Sequence, residues 1–323
     1  MKVPFFRRQN EGERESAEAA AAEQAASLEA LELGGLPLRA QQRLAEMSAE
    51  GLFTSDLSVS EFALLHSIGL RPLAQVMGSS IYHVGWQQSP GRWGGWQPGG
   101  ISQELTTLSE AWNAARERAF GRLEQEARTL GAHAVVGVEL TTGRHDWAAG
   151  AIEYIAVGTA VRIDGAEPVD RPTLTDLSAQ DYWKLQQAGY RSLGVVGASS
   201  VYYIVSGWQQ SRVQQGMFSS WANQELRDFT QGVYDVREAT LGRVSAEARR
   251  QGAAGMVGVS IAHSVEEREV AAGATHRTDL IVTMHVLGTS IAERDETAGE
   301  ISPTLQIDLS ADRQRAHLLG GTH

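Results

Sequence analysis

The sequence predicts an α+β protein built from two copies of one helix-and-strand unit. Residues Leu130–Val138 read Leu-Gly-Ala-His-Ala-Val-Val-Gly-Val, and Gln251–Val259 repeat the pattern as Gln-Gly-Ala-Ala-Gly-Met-Val-Gly-Val. In both places a run with helical periodicity ends at a glycine, and an apolar run with the propensity of a buried strand follows. Such internal repetition indicates a duplicated structural unit.

The composition is that of a globular protein with an acidic surface. The 323 residues are 42% hydrophobic and 21% charged, and their formal net charge is −11. This length favours two domains. Without clustered cations, nucleic acid and anionic membrane surfaces are poor partners. The sequence has no cysteine and no apolar run that suits a signal peptide or a transmembrane helix, so we expect a cytoplasmic protein without disulfides.

Residues 1–52 are predicted to form an N-terminal helical arm. Ala and Glu dominate the stretch Glu15–Glu32, and both residue types favour helix. A Gly-Gly pair that starts at Gly34 ends this helix, and a second short helix is expected over Leu38–Ser48. Because the Ala-rich face is shallow, we expect a flexible or partner-dependent arm in preference to a core helix.

Each unit opens with an Asp-Leu-Ser signal ahead of a short helix. Ser58 and Ser178 end these signals and are predicted N-caps. Gly69 and Gly189 follow the same helices at positions where a positive φ is needed. The first residues of both units are therefore predicted to have the same local structure.

The repeats set the predicted domain limits. The first unit is expected over residues 53–165 and the second over 173–292, with a short linker between them that contains two prolines. Residues 293–323 are predicted to be a tail. Within the tail, Pro303–Ser310 resembles the opening segment of the second unit at Pro172–Ser178.

A long amphipathic helix precedes the glycine joint in each unit. Its apolar residues recur three or four positions apart and form one stripe, which a sheet or another subunit must cover. The stripes comprise Leu105, Leu108, Trp112, Ala115, Ala119, Leu123 and Leu130 in the first unit, and Leu226, Phe229, Val233, Val236, Leu241, Val244 and Ala248 in the second.

Three apolar runs in each unit are predicted strands, and the polar stretches between them are predicted loops. The stretch Ser264–Asp279 is expected to be a solvated hairpin loop because it is long and rich in Glu. The predicted strands are Ala74–Val84, Ala134–Thr141 and Ala151–Ile163 in the first unit, and Gly194–Val205, Met256–Ala262 and Leu280–Ile291 in the second.

The first unit resembles the YbjQ family, which carries a heavy-metal-binding description. The resemblance rests on Ala115–Ala119, Leu130–Val138 and Gly158–Val161, and the second unit is similar more weakly through Gly252–Ala253 and Gly288–Thr289. It implies two tandem, dodecin-subunit-like units, each a long helix packed on a curved, mainly antiparallel sheet. It also implies pentamer-based ring assembly.

Metal binding is suggested by the family description alone, and no other cofactor is predicted. His263, Glu266 and Glu267 lie in one polar stretch and are the candidate ligands. The chain has no His-x3-His pair and no thiolates, which soft metals prefer. We therefore favour a solvated, charged loop over a metal site.

Paired serines recur at Ser79–Ser80 and Ser199–Ser200, which raises nucleophilic catalysis. No histidine or carboxylate recurs with them, and no Gly-x-Ser-x-Gly motif is present. Strand positions that face a subunit boundary are the better explanation, and no enzyme is predicted.

An arginine and a glutamate also recur on the long helices, at Arg116 and Arg237 and at Glu126 and Glu247. These residue types could support acid–base or anion chemistry. We interpret them as helix-surface or interface ion pairs.

Five tryptophans lie in polar, Gly-containing surroundings instead of apolar stripes. Such aromatic residues bury a large area on binding, so we assign equal weight to packing within an oligomer and to contact with a ligand or partner. They are Trp86, Trp93, Trp96, Trp208 and Trp221.

Together these observations predict a non-enzymatic, homo-oligomeric assembly or scaffold protein. The chain would form a cyclic, pentamer-based oligomer, with the arm, the tail and the Trp-rich loops available to partners. The sheet edges are expected at Ala74–Val84 and Ala151–Ile163 and would be the repeated interfaces. The alternative is a binding protein for a metal ion or a small flat ligand at subunit interfaces.

Overall fold

A computed structural model describes residues 5–50, 53–84, 102–145, 151–207, 223, 225–272 and 275–294. None of the helices in these ranges is long and apolar enough to cross a membrane. The elements in chain order are α1 (Phe5–Glu32), α2 (Leu38–Glu50), α3 (Val59–Ser67), β1 (Leu70–His83), β2 (Gln103–Glu104), α4 (Thr106–Thr129), β3 (Ala134–His145), β4 (Ala151–Ile163), β5 (Thr173–Leu174), α5 (Ala179–Gln187), β6 (Tyr190–Ile204), α6 (Arg227–Arg250), β7 (Gly255–Ala272) and β8 (Thr275–Glu293).

The α+β class is confirmed, with two four-stranded sheets in the order β1-β4-β3-β5 and β2-β6-β8-β7. The long strands pair antiparallel throughout, and the short β5 adds to β3 in parallel. Helix α4 packs on β1, and α6 packs on β6 and β8. Each unit thus consists of one long helix on its own sheet.

The predicted local signals are confirmed at the start of both units. The Ser58 hydroxyl accepts a hydrogen bond from the backbone N–H of Glu61, and the Ser178 hydroxyl accepts one from the N–H of Asp181. Gly69 and Gly189 have φ angles of 75° and 80°. These caps begin and end the short helices at equivalent positions.

The recurring Val-Gly-Val marks a β-bulge in each unit. Pairing with the neighbouring strand shifts register between Val136 and Glu139 and again between Val257 and Ser260. The glycines inside these shifts, Gly137 and Gly258, have φ angles of 64° and 67°. Such bulges bend and twist a strand, and glycine adopts the left-handed conformation at low cost. The repeat therefore encodes curvature.

The two sheets exchange short strands across the predicted domain limits. Strand β2 immediately precedes the helix of the first unit, yet it pairs with β6 of the second. Strand β5 opens the second unit, yet it pairs with β3 of the first. The limits at residues 165 and 173 thus separate the two long helices but not the two sheets.

The predicted hairpin loop over Ser264–Asp279 is wrong, because β7 runs to Ala272 and β8 starts at Thr275. In the hairpin that β7 and β8 form, Arg268 lies opposite Asp279. Opposite charges that face each other stabilise a pair of antiparallel strands. Because such residues do not alternate with apolar ones, the sequence here did not show a strand pattern.

The expectation of a sheet edge at Ala151–Ile163 is also wrong. Strand β4 pairs with β1 on one side and with β3 on the other, so it lies inside its sheet. Strand β1, which contains most of Ala74–Val84, is an edge strand as expected.

The N-terminal helices contact the first unit, in contrast to the expected flexible arm. Leu36 and Leu44 are buried, and the Arg43 guanidinium lies 2.7 Å from the Glu126 carboxylate of α4. The apolar contacts come from the second helix and the turn before it, while the Ala-rich helix α1 packs mainly on α2.

Candidate functional site: the contact between the two units

The contact between the units begins where β2 joins the second sheet. Gln103 and Glu104 pair antiparallel with Tyr203 and Tyr202, and the Leu105 N–H donates to the Val201 carbonyl over 2.7 Å. Helix α4 starts at the next residue, so the same strand pairing that joins the units also aims α4 along β6. One face of the N-terminal half of α4 is thereby buried between the two units.

Polar side chains of α4 satisfy the backbone of β6. The Asn113 amide donates to the Ser199 carbonyl over 2.9 Å and accepts from the Ser199 N–H over 3.0 Å. One turn earlier, the Ser109 hydroxyl accepts from the Val201 N–H over 2.9 Å. Since unsatisfied backbone groups are costly when buried, these bonds allow a helix to cover a strand edge.

A buried aromatic cluster lies at the centre of the contact. The Ser199 hydroxyl is 2.6 Å from the Tyr154 hydroxyl and 2.7 Å from His285 Nδ1. The Trp112 ring meets both the Tyr154 and His285 rings edge-on, with centroids 5.3 and 4.8 Å away. The cluster joins α4 and β4 of the first unit to β6 and β8 of the second.

Burial fixes the protonation of this cluster. It lowers the pKa of His285 to about 4 and raises the pKa of Tyr154 to about 12, although the hydrogen bond with Ser199 partly offsets the rise for Tyr154. Both groups are therefore neutral at pH 7. A neutral imidazole and a neutral phenol suit a sealed contact because neither places a charge in the interior.

Ser199 and His285 resemble a nucleophile with its base, but they lack the other parts of a catalytic site. Ser199 is 1% exposed, so a substrate does not reach its hydroxyl. Among the described residues, no carboxylate bonds to the imidazole to orient it. Ser199 lies at the boundary between the two units of one chain, so the predicted position at a boundary between subunits stays a prediction.

Two ion pairs flank the aromatic cluster. Arg116 of α4, which is 5% exposed, lies 3.3 Å from the Glu247 carboxylate of α6. Arg243 of α6 lies 2.7 Å from Glu104. Burial raises the pKa of Glu104, but hydrogen bonds from Arg243 and Ser109 outweigh it, and the net shift is downward. Arg116 and Glu247 thus form an ion pair between the two units, which agrees with the interpretation of the recurring residues as helix-surface or interface ion pairs.

A cavity of about 440 Å³ lies beside the contact, between β3 and β7. Arg116, Tyr154 and His285 line it, together with the Asp176 carboxylate. Burial raises the pKa of Asp176, and a hydrogen bond from Thr289 opposes this shift. The Nε of Arg116 is buried and has no hydrogen-bond partner.

The three candidate metal ligands do not converge. His263 and Glu267 lie on one face of β7 and Glu266 on the other, since side chains alternate along a strand. Glu266 pairs with Arg144 at 2.7 Å and with Arg268 at 2.5 Å. In the part of the chain that the structure describes, no group of three or more His, Cys, Asp or Glu side chains is placed to hold a metal ion.

The candidate tryptophans Trp86, Trp93, Trp96, Trp208 and Trp221 all lie outside the described residues, so their role stays a prediction. The site residues that the sequence did not reveal are Tyr154 and His285. Neither recurs in the other unit, and they come from different units. Only the arrangement of the sheets brings them together.

The fold is a tandem pair of units, each a long helix on a sheet, and the two units pack on each other. Residues 99–164, in the first unit, match the YbjQ family model, described as "Putative heavy-metal-binding". The chain is 41% identical over 231 residues to the encapsulin nanocompartment protein Rv1762c of Mycobacterium tuberculosis, with 70% of this chain and 82% of that protein covered. The chain belongs to the same family as Rv1762c, and its first unit is a YbjQ-type domain.

Shorter relatives match about a fifth of the chain. The UPF0145 protein TTHA1944 of Thermus thermophilus is 44% identical over 69 residues, which are 21% of this chain and 59% of that protein. A UPF0145 protein of Methanosarcina acetivorans is 43% identical over 63 residues, which are 20% of this chain and 58% of that protein. No solved structure matches the chain.

Proposed function

We propose that this protein is a non-enzymatic assembly or scaffold protein that acts as a homo-oligomer. The observation that carries the proposal is the contact between the units, in which two similar domains exchange strands and bury Trp112, Tyr154 and Arg116. A domain that recognises another domain of its own kind is suited to repeated assembly. The relative Rv1762c, named an encapsulin nanocompartment protein, supports the same interpretation.

The finer features of the proposal rest on the resemblance and on the sequence. They are a cyclic, pentamer-based ring, a cytoplasmic location, and partner contacts through the tail, the Trp-rich loops and the outer face of the arm. Head-to-tail contacts that close through rotation give rings, and those that do not close give filaments. The buried state of Ser199 supports the absence of enzymatic activity at the cluster.

Light scattering of the full chain tests the proposal. A discrete mass that is a multiple of the 34.9 kDa chain and survives EDTA is the expected result at micromolar concentration. A mass of one chain across the concentration range would overturn the assembly function. Loss of the oligomer on chelation would instead point to a metal-dependent structure.

A second candidate function, binding of a small flat ligand between the units, rests on the cavity. Its lining combines apolar strand residues with the buried Arg116, whose Nε lacks a partner. Benzoate, a flat anion, is a suitable probe in thermal unfolding. The candidate predicts a saturable stabilisation that is lost in Thr142→Trp, an exposed lining residue. An identical response of the two proteins would contradict it.

A further inference from the structure

The covered contact has two halves, each contributed by one unit. The first unit supplies β2 and the start of α4, which lie on β6. The second unit supplies β5 and the following residues, which lie along β3: the N–H groups of Gly137 and Val138 donate to the carbonyls of Leu177 and Thr175 over 2.8 and 2.9 Å. Each unit thus offers one segment to the other and accepts one in return.

The second unit carries the same helix start, but it is more exposed. Leu226 stands where Leu105 stands in the first unit, one residue before the long helix. Leu105 is 5% exposed and Leu226 is 37% exposed. Further along, Tyr234 and Arg237 are also exposed, whereas their counterparts at Asn113 and Arg116 contact the second unit.

The first unit carries the matching strand edge, and this edge is also open. Strand β1 corresponds to β6, so Ile81 corresponds to Val201 and Ser79 to Ser199. Val201 is fully buried under β2 and α4, whereas Ile81 is 56% exposed. Both positions carry an apolar side chain, so the difference lies in what covers the strand.

The opening segments of the units and the strands that receive them show the same contrast. Leu174 is buried in the core of the first unit, whereas Phe53 in the equivalent segment of the first unit is exposed and Leu57 is partly buried. On the receiving side, Val138 of β3 is buried and the equivalent Val259 of β7 is exposed. In the covered contact, β6 and β3 receive segments of the other unit. Their counterparts β1 and β7 carry exposed side chains at the equivalent positions.

The charges at the open faces are complementary. In the covered contact Glu104 pairs with Arg243, and this hydrogen bond raises the pKa of Arg243. Arg122, the counterpart of Arg243, has no carboxylate within ion-pair distance among the described residues, and burial and the nearby Arg118 lower its pKa. Glu225, the counterpart of Glu104, is exposed beside Leu226.

We propose that a second copy of this chain docks head to tail at these faces and reproduces the contact between the units. Leu226 and Glu225 of one copy bind at Ile81 and Arg122 of the next, whose Phe53–Leu57 segment returns along β7 of the first. The proposal rests on the assembly function and specifies its interface. It makes consecutive units alternate along a single ring or filament, instead of forming two stacked rings.

One position at the open face is already occupied. Glu247 accepts from the Gly197 N–H and from Arg116, and its counterpart Glu126 accepts from the Met77 N–H and from Arg43 of the arm. Arg43 thus holds the place that Arg237 of another copy would take. The strand pairing at Ile81 and the Glu225–Arg122 pair carry the docking, and Arg43 of the arm takes the part of Arg237 at Glu126.

A mixing experiment with two variants tests the direction of docking. Leu226→Asp disables the helix-start face of every copy, and Ile81→Asp disables the β1 face. Each variant alone is expected to have the mass of one chain, 34.9 kDa. An equal mixture is expected to form a complex of two chains and nothing larger, because each pair keeps one intact contact and two disabled ends. Its formation also shows that both variants are folded.

The controls separate this interface from the assembly function itself. Leu33→Asp changes a leucine of the arm that is 83% exposed and lies on neither face, so it should keep the wild-type mass. If the wild type is oligomeric and the Leu226→Asp and Ile81→Asp variants keep the wild-type mass, the proposed interface is overturned while the assembly function stands. A monomeric wild type would overturn the assembly function. The tail segment Pro303–Ser310 is the alternative occupant of β7. Amide exchange at Val259 distinguishes the two occupants when the full chain is compared with a chain that ends at Arg294. Loss of protection at Val259 in the shortened chain would contradict docking of Phe53–Leu57 there.

Discussion

Helices α4 and α6 occupy equivalent places in the two units, but their burial differs twofold. Both contain 24 residues and both follow a leucine, yet ten residues of α4 are buried against five of α6. Each packs on its own sheet, and α4 is additionally covered by β6 of the second unit. The comparison teaches that one unit alone leaves exposed several helix positions that a neighbouring unit covers in α4.

The largest difference between the two helices is expected at Trp112, whose counterpart in α6 is Val233. Trp112→Ala removes a fully packed ring from the contact and should lower the free energy of unfolding by about 3–5 kcal/mol. Urea unfolding in the Ile81→Asp background measures this without a contribution from assembly. Val233→Ala, at a partly buried position, should cost about 1 kcal/mol. Equal losses at the two positions would contradict the comparison.

The covered contact should also be sensitive to acid. The folded pKa of His285, about 4, is below its ordinary value of 6.5, so the unfolded chain binds a proton first as the pH falls. Stability should therefore decrease between about pH 6.5 and 4, by about 3 kcal/mol in total. His285→Asn keeps a hydrogen-bonding side chain and removes this titration. The melting temperature of the wild type should fall more steeply with decreasing pH across that window than the melting temperature of His285→Asn. Parallel plots of melting temperature against pH would be evidence against a role of His285 in the acid sensitivity.

A smaller effect is expected at the ion pairs. Arg116→Met leaves Glu247 without its buried partner and should lower the free energy of unfolding by about 2 kcal/mol. Arg237→Met, at the exposed counterpart in α6, should change it by less than about 0.5 kcal/mol in the Ile81→Asp background. Urea denaturation gives both values. A large loss of unfolding free energy for Arg237→Met in this background would show that another part of the same chain covers Arg237.

The sequence was sufficient for most of the repeating unit. The caps at Ser58 and Ser178, the glycine joints and the long helices follow from local propensity and periodicity, which do not depend on the rest of the fold. The hairpin over Ser264–Asp279 was mispredicted because charges stabilise it across strands, a relation that only the register reveals. Two-residue strands such as β2 carry no pattern that a sequence could show.

The site was less accessible to prediction than the fold. The recurrence of Arg116 as Arg237 and of Glu247 as Glu126 predicted helix-surface or interface ion pairs, and only the structure shows that Arg116 pairs with Glu247. Tyr154 and His285 have no such signal, because each is used only where two different units meet. His263 and Glu266 are close in sequence, but the strand between them sends their side chains to opposite faces. Spacing predicts a ligand set only once the secondary structure is known.

A disulfide between chains tests the central claim most directly, because the protein contains no cysteine of its own. In the covered contact the Leu105 N–H bonds to the Val201 carbonyl, and such neighbouring strand positions lie within disulfide reach. Leu226→Cys combined with Ile81→Cys should oxidise to a ladder at multiples of 34.9 kDa on a non-reducing gel. Leu105→Cys with Val201→Cys, the matched control, should remain at the mass of one chain. A single band of one chain for the Leu226 and Ile81 pair, from a wild type that is oligomeric, would contradict the repeated contact.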